Sequence, residues 1–595
     1  MRPECLPFLI VVFLVLIPAT VLHTAEEQYA PNWESIDSRP IPAWFNEAKF
    51  GIFVVWGPYS VPAYVDKGYS EWYRWRLEDK TSDTWKFHVR NYGEDFAYED
   101  FAPLLKAEMW DPDFWADLFV KSGARYVVTT ANYHDGFCLY PSAYDATTRT
   151  DQWNSTEVGP MRDLLGELNA AGRARGLRMG IYYSLYEWFH PLWVTDRDRY
   201  VTEKFHPQFK EVVTGYKPDI IFLDGDWDMG HERWRSEELA AWLYNDSPVG
   251  DYVVVNDRWG QVRRKHGDCY SSEYGGGNFP PTHPWEENRG IGHSYGYNRN
   301  ETIYDYDSEA DLIRMLSKIC GNGGNFLLDV GPTADGRIPV IMQERLLQIG
   351  AWLNTHGEAI YGSRESPFWP RRFSWGTCTR KPGRIFVHLH ERPGDEVVLP
   401  GLKNKVIDAV FLGDARVKSL AVRRNERGVA IALPARLPLD TVSVIALTID
   451  GEPDVDATIR PGRDGSLLLH ACEARLHGET PAYEQSGKKD QIGYWQDPGD
   501  SVSWVLGITK GGSYAVDVTY SCAAECAGSA FDVKVDGKRL EGMTAETGAW
   551  DRYRTDRLGE IRFAEAGTHT LVVQPRAEPR WQSMGLQSVR LIPVE

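Results

Sequence analysis

Long apolar runs are nearly missing from this chain. The one run of note, Leu6–Val21, is broken by Pro7 and Pro18, preceded by Arg2 and followed by a polar, small-residue exit at His23–Ala25. It is too short and too interrupted for a membrane span and has the pattern of an export signal over residues 1–25. The expectation is a secreted or periplasmic protein with no membrane span. Cysteine is also sparse, eight in 595 residues, with Cys5 inside the signal. The other seven are odd in number and widely spaced, so a disulfide-stapled mini-domain is not supported and no metal-ligand spacing stands out. Only Cys522 and Cys526 lie close together, as a disulfide or as two thiols. Positive charge is in deficit: 65 Lys and Arg stand against 84 Asp and Glu, a net charge of −19. Such a balance argues against nucleic acid or an anionic membrane as the main partner. No Gly-rich nucleotide loop follows the first strand, which weakens a Rossmann reading. There is no serine nucleophile elbow, no Cys/His set for zinc, no internal repeat and no low-complexity tract. Nothing calls for an organic or redox cofactor, and nothing marks the oligomeric state.

Aromatic residues, by contrast, are abundant: 23 Trp and 30 Tyr. Sugars offer apolar faces that stack on such rings, so the composition fits carbohydrate, although core packing claims most rings. The fold is best read outward from Lys217–Trp227, KPDIIFLDGDW. Apolar residues at Phe205, Phe209, Val212, Val213 and Tyr216 suit one face of a helix. A tight turn, a buried strand and then Asp224 follow. Similar units recur. Candidate strands are Phe50–Val55, Tyr126–Thr130, Met179–Ser184, Ile220–Leu223, Tyr252–Asn256, Cys269–Glu273 and Phe326–Val330. Amphipathic stretches separate several of them: Asp113–Ser122, Met161–Arg175, Thr202–Tyr216, Ser308–Cys320 and Val340–His356. Repeated strand–helix units over 28–362 predict a TIM-type, (β/α)8-like barrel with room for an irregular strand count. Short strands with turn residues between them predict a small β-sandwich over 363–450 and a second over 466–595, joined by a polar link. Asn154-Ser-Thr and Asn300-Glu-Thr are glycosylation sequons.

The ends of the predicted strands carry the chemistry. They are Val55-Trp56-Gly57, Tyr133-His134-Asp135-Gly136, Tyr182-Tyr183-Ser184, Asp224, Asn256-Asp257-Arg258-Trp259 and Ser272-Glu273-Tyr274. Taken singly each has a plain structural reading. Asp224 before Gly225 can start a turn, His134 can be a satisfied core histidine, Arg258 can pair with Asp257, and Glu273 can be a solvated loop acid. Their joint placement at one barrel mouth is the stronger observation, because barrel chemistry sits on the loops after the strands. Two carboxylates, rings to hold a sugar and polar groups to read its hydroxyls are what glycosidic bond cleavage requires.

In order along the chain run AKFGIFVVWGPYSVPAY, SEWY, NYHDGFCLY, GPMRDLLGEL, MGIYYSLYEW, KPDIIFLDGDW, NDRWG, WEENRGIGHSYGYNRNE and GGNFLLDVGPTADGRIP. Together these resemble glycoside hydrolase family 29, the α-L-fucosidases, over roughly residues 28–450. The resemblance implies a retaining exo-hydrolase that works through a covalent glycosyl-enzyme on fucosylated oligosaccharides or polysaccharides. It implies Asp224 of LDGDW as nucleophile and Glu273 of SSEY as acid/base, with Glu286 of PWEENRG as the runner-up for that role. For the sugar pocket it points to Trp56, Glu71, Trp72, His134, Tyr182, Arg258 and Tyr295, with Phe222 and Tyr295 as a wall for the C5 methyl group. The chain departs from the family pattern at Val55 and Tyr133, where histidines are common, and at Phe222, where tryptophan is common. Tyr133 can still donate one hydrogen bond and Val55 none, so a related or modified sugar, an α-L-galactoside or a sulfated fucoside, is the alternative substrate. A glycan-binding homologue with little turnover is the alternative of another class. The unit at 466–595 resembles carbohydrate-binding modules, with Trp495, Trp504, Trp550 and Trp581 as platforms or core. Some such modules hold a structural calcium, and no residue of this sequence fixes one.

Overall fold

The computed structural model describes residues 29–594 except 276–280, 415–418, 426–427, 479 and 487. The export signal expected at 1–25 lies outside the described residues. Eight parallel strands form the first sheet: Phe50–Val54 (β1), Tyr126–Asn132 (β2), Arg178–Ser184 (β3), Ile220–Asp224 (β4), Val254–Val255 (β5), Tyr270–Glu273 (β6), Trp285–Gly290 (β7) and Asn325–Val330 (β8). Their order is β5-β4-β3-β2-β1-β8-β7-β6. A parallel bridge between Asn256 and Cys269 joins the two ends, so the sheet closes as a (β/α)8-like ring. β1, β2, β4 and β8 are buried at every position. Strands covered on both faces need continuous apolar runs, which is why these were legible.

β7 was absent from the expected strands, and its composition explains the miss. Trp285–Gly290 reads WEENRG, with no apolar run, yet Glu286, Glu287 and Asn288 are all buried in the ring. β5 is shorter than expected, two residues rather than five, because the chain leaves the ladder at Asn256.

Crossover helices return the chain between strands, as parallel pairing demands. Pro112–Lys121 is capped by Asp111, whose carboxylate accepts from the N–H of Phe114 at 3.0 Å. Glu309–Gly321 begins on Ser308, whose hydroxyl accepts from the Asp311 N–H at 3.2 Å. The helix expected over 202–216 is in two parts, a π-helical turn Tyr200–Phe205 and an α-helix His206–Tyr216. Pro207 sits at the start of the second and has no N–H for the preceding turn, so the regular ladder is interrupted there. Lys217 (φ 50°) then turns the chain into β4.

Beyond the ring lie antiparallel sheets. A four-stranded sheet, which contains Arg384–Leu389 and Ser443–Ile449, and a three-stranded sheet, which contains Glu396–Pro400, share one core from Phe368 to Ile449. A six-stranded and a five-stranded sheet share another core from Ile459 to Leu591. In Gly512–Ser521 the side chains of Tyr514, Val516, Val518 and Tyr520 are buried, the period of two that the sequence showed. The polar link is pinned at both sides: Val455 pairs with Leu402 and Ile459 with Leu506. Cys522 and Cys526 are separate thiols.

Candidate active site

Alternation along each strand decides which side chains face the ring interior. Phe53 and Val55 at the end of β1, Tyr182 on β3, and Phe222 and Asp224 on β4 point into one pocket at the strand ends. β3 and β4 are in register with Tyr182 opposite Phe222 and Ser184 opposite Asp224. Tyr69, Trp72, Tyr133, Trp227, Arg258, Glu273, Asn288 and Tyr295 complete the lining. Immediately after Asp224 the chain turns at Gly225 (φ +76°), where an added Cβ would lie 2.2 Å from the Tyr186 ring. A side chain is therefore excluded there for both conformation and space.

Arg258 is the centre of the site. Its Nη1 donates to Asp224 Oδ1 at 2.5 Å and its Nη2 to Glu273 Oε2 at 3.2 Å. Its Nε donates to Ser271 Oγ at 3.1 Å, and its guanidinium lies 4.9 Å from the Phe222 ring centroid. One planar cation thus carries both carboxylates. Tyr182 donates its hydroxyl to Asp224 Oδ2 at 2.9 Å, and His134 Nε2 stands 3.4 Å from the same oxygen. Burial alone would raise the Asp224 pKa, but Arg258, His134 and Arg263 outweigh it and hold the carboxyl far below the usual carboxylate range. Burial, reinforced by Asp224, raises the Tyr182 phenol, so it stays a donor.

Glu273 is the more open of the two acids, with 28% of its side chain exposed against 12% for Asp224. Besides Arg258 it accepts the Tyr69 hydroxyl on Oε1 at 2.8 Å. Tyr69 (φ 54°) is held in the left-handed region to reach it.

Eight of the expected residues line this pocket: Trp72, Tyr133, Tyr182, Phe222, Asp224, Arg258, Glu273 and Tyr295. His134 lies directly behind Asp224, with Nδ1 2.6 Å from Ser184 Oγ. Three expected residues are placed elsewhere. Trp56 follows Val55, so alternation turns it out of the pocket, where it packs on Trp110 and Trp115 and donates to the Thr333 carbonyl at 3.1 Å. Glu71 is fully buried beneath the lining; its Oε2 accepts from the Gly296 N–H at 2.8 Å, and burial pushes its pKa up to about 8. Glu286 shares the inward face of β7 with Asn288 but lies one layer deeper, opposite Asn325 at the start of β8 and bonded by Tyr126 at the start of β2. Burial pushes Glu286 up to about 8 as well. An acid at that depth cannot reach a bond cleaved at the strand ends.

Sequence reasoning missed Phe53, Tyr69, Trp227 and Asn288. Asn288 accepts the Tyr295 hydroxyl at 2.7 Å and donates to the Ser272 carbonyl at 2.8 Å, which fixes the wall between them. The signal for Asn288 was its spacing of two from Glu286, once β7 is known to be a strand. Trp227 ends the LDGDW segment itself. No sequence pattern marked Tyr69. Among the described residues no group of three or more His, Cys, Asp or Glu is placed to hold a metal ion.

A family model described as Alpha-L-fucosidase matches residues 16–358. The chain is 39% identical over 457 residues to an α-L-fucosidase of Dictyostelium discoideum, which covers 73% of this chain and 96% of that protein. It is 46% identical over 445 residues to the tissue α-L-fucosidase of Bos taurus, covering 71% and 92% respectively. Among solved structures, Thermotoga maritima α-fucosidase superposes with a TM-score of 0.60 at 38% identity, over 71% of this chain and all of that one (100%). An α-L-fucosidase from Vibrio sp. strain EJY3, 22% identical, shares the fold across 92% of this chain and 97% of its own, with a TM-score of 0.65. The motifs that end on Asp224, Arg258 and Glu273 lie inside the matched segment, and by sequence, by family model and by fold this chain belongs to the α-L-fucosidase family of glycoside hydrolases.

Proposed function

We propose that the protein removes terminal α-L-fucosyl residues from glycans with retention of configuration. The observation that carries this reading is the Arg258 fork holding Asp224 and Glu273 at one pocket. Asp224, ionised and buried, attacks the anomeric carbon while Glu273 gives its proton to the leaving glycosidic oxygen. Glu273 then takes a proton from water, and the resulting hydroxide displaces Asp224 from the sugar. The contrast between the two acids supports this division: Asp224 is fixed in charge by cations, and Glu273 is open enough to exchange a proton. Phe53, Val55, Phe222 and Tyr295 offer the apolar wall that a C5 methyl group needs. Tyr133 and Trp72 have polar tips on the same pocket. The test is turnover of para-nitrophenyl α-L-fucoside by the wild type and by Asp224→Ala. Release by the wild type alone is expected; equal release by a folded variant refutes the assignment.

Val55 favours a second reading of the substrate. It places a side chain without a donor on the pocket wall, so a fucoside whose hydroxyl there is substituted leaves no protein donor orphaned, and an α-L-galactoside is the other related sugar to compare. A panel of these glycosides against plain fucoside, compared by kcat/KM, separates the two. For the rest of the chain we propose export through the N-terminal signal, a β-sandwich formed by the sheets at 363–450, and a β-sandwich of carbohydrate-binding type at 466–595. Trp495 and Trp504 are buried in the core of the last unit, and Trp550 and Trp581 are half-buried against it, so of the four only these last two keep a face for a platform. N-terminal sequencing of the mature protein from the culture medium tests export.

A further inference from the structure

Among the described residues two tryptophans are exposed, Trp75 at 49% and Trp227 at 37%, and the others are buried or half-buried. Both belong to the same place. Trp227 lines the pocket and lies 5.9 Å from Trp72, nearly parallel to it at 27°. Trp75 stands edge-on to Trp72 at 6.4 Å and packs on Trp188 at 5.6 Å. Trp188 is itself fixed by an indole N–H bond to the Tyr186 hydroxyl at 2.8 Å. Arg74 braces the neighbouring ring, with its guanidinium 3.3 Å from the Phe189 centroid. Large exposed rings are costly to leave in water and single ones need no explanation. Here the only two exposed indoles among the described residues both touch Trp72 of the pocket lining, Trp227 as part of that lining and Trp75 beside it.

We propose that Trp75 and Trp227 form a second subsite that binds the sugar ring on the leaving side of the scissile bond. Its ligand is a pyranose linked to the fucosyl group through an oxygen, stacked by its apolar face on the exposed indoles. The preferred substrate is thus at least a disaccharide. An indole supplies a large, rigid contact face at little conformational cost, and its N–H remains free to bond a hydroxyl at the ring edge. Trp75 touches no reacting atom; it acts on the leaving group alone. The inference rests on the fucosidase reading, and the probes keep the two apart.

The experiment compares wild type, Trp75→Ala and Trp75→Phe on two substrates. One is α-L-fucosyl fluoride, whose leaving group has no ring. The other is a reducing fucosyl-β-galactose disaccharide. Trp75→Ala is expected to lower kcat/KM for the disaccharide about tenfold, mainly through KM, the size of one lost stacking contact. It is expected to leave fucosyl fluoride unchanged. Trp75→Phe keeps a ring and is expected to restore most of the loss. Thermal melting of each variant checks that the fold survives. Equal loss on both substrates overturns the subsite, since it would mean a general disturbance of the pocket. No loss on the disaccharide overturns it as well. Failure of the wild type to hydrolyse fucosyl fluoride would instead strike the fucosidase reading.

Discussion

Replacing Arg258 by methionine tests the electrostatic logic of the site most severely. In the wild type, burial pushes the Asp224 pKa up and the cations push it further down, Arg258 foremost. A carboxyl whose folded pKa is depressed stabilises the fold above its unfolded value and loses that contribution as pH falls through the folded value. Asp224 therefore remains ionised across the whole working range. Methionine removes the 2.5 Å and 3.2 Å contacts and leaves burial dominant. Breaking a buried ion pair in this way costs about 3–5 kcal/mol. His134 and Tyr182 still face Asp224 and offset part of the cost. The Asp224 pKa then lies above the unfolded value, so the sign reverses and the variant loses stability as pH rises from 4 toward neutrality, roughly the carboxylate range. The acidic limb of the kcat/KM profile should move up by about one to two pH units, because Asp224 must lose a proton before it can attack. The assay is a pH–rate profile on para-nitrophenyl α-L-fucoside alongside denaturant unfolding at each pH. Arg258→Lys keeps the charge without the fork, and its acidic limb should stay near that of the wild type while kcat falls. An unmoved acidic limb in a folded Arg258→Met variant would refute the reasoning.

Asp224→Asn should lose nearly all turnover with the fold intact, read by activity and by thermal melting. Glu273→Ala should be rescued in part by azide, which needs no acid/base to attack the glycosyl-enzyme, and Glu286→Gln should not respond to azide at all. Glu286→Gln should also gain stability relative to the wild type as pH rises from about 4.5 to about 8. The wild-type carboxyl is raised by burial, so its favourable protonated form is present at low pH and lost as pH climbs through about 8; unfolding curves at pH 5 and 8 measure this. Tyr69→Phe should keep substrate binding but lower kcat several-fold, since Glu273 loses its 2.8 Å donor. An unchanged kcat would assign Tyr69 to packing alone.

The glycosylation sequons show how far a local pattern can mislead. Asn154 is 1% exposed, and its amide is committed to Asp145 and Glu157 at 3.0 Å each. Asn300 gives its amide to the Val65 carbonyl at 2.6 Å. Asn154 is thus not free to carry a glycan in the folded protein, whereas Asn300 is half-buried and spends one amide hydrogen on that bond.

The sequence by itself determined the repeating strand–helix plan and singled out Asp224, Arg258 and Glu273, which the fold brings to one pocket. Apolar runs of β1 to β4 and β8 are long enough to be seen, and carboxylates at strand ends follow from the plan. It did not determine β7, because that strand buries Glu286, Glu287 and Asn288 through contacts made only when the ring closes. Tertiary structure alone decided depth. Alternation and layering send Trp56 outward and leave Glu71 and Glu286 below the pocket, while they raise Asn288 into it. Tyr69 reaches Glu273 across 204 residues of chain, a partnership no window of sequence contains. Residue type and spacing fix which groups are available. Only the closed ring fixes which of them share a low-dielectric cavity, and that shared cavity is what sets their charges and their chemistry.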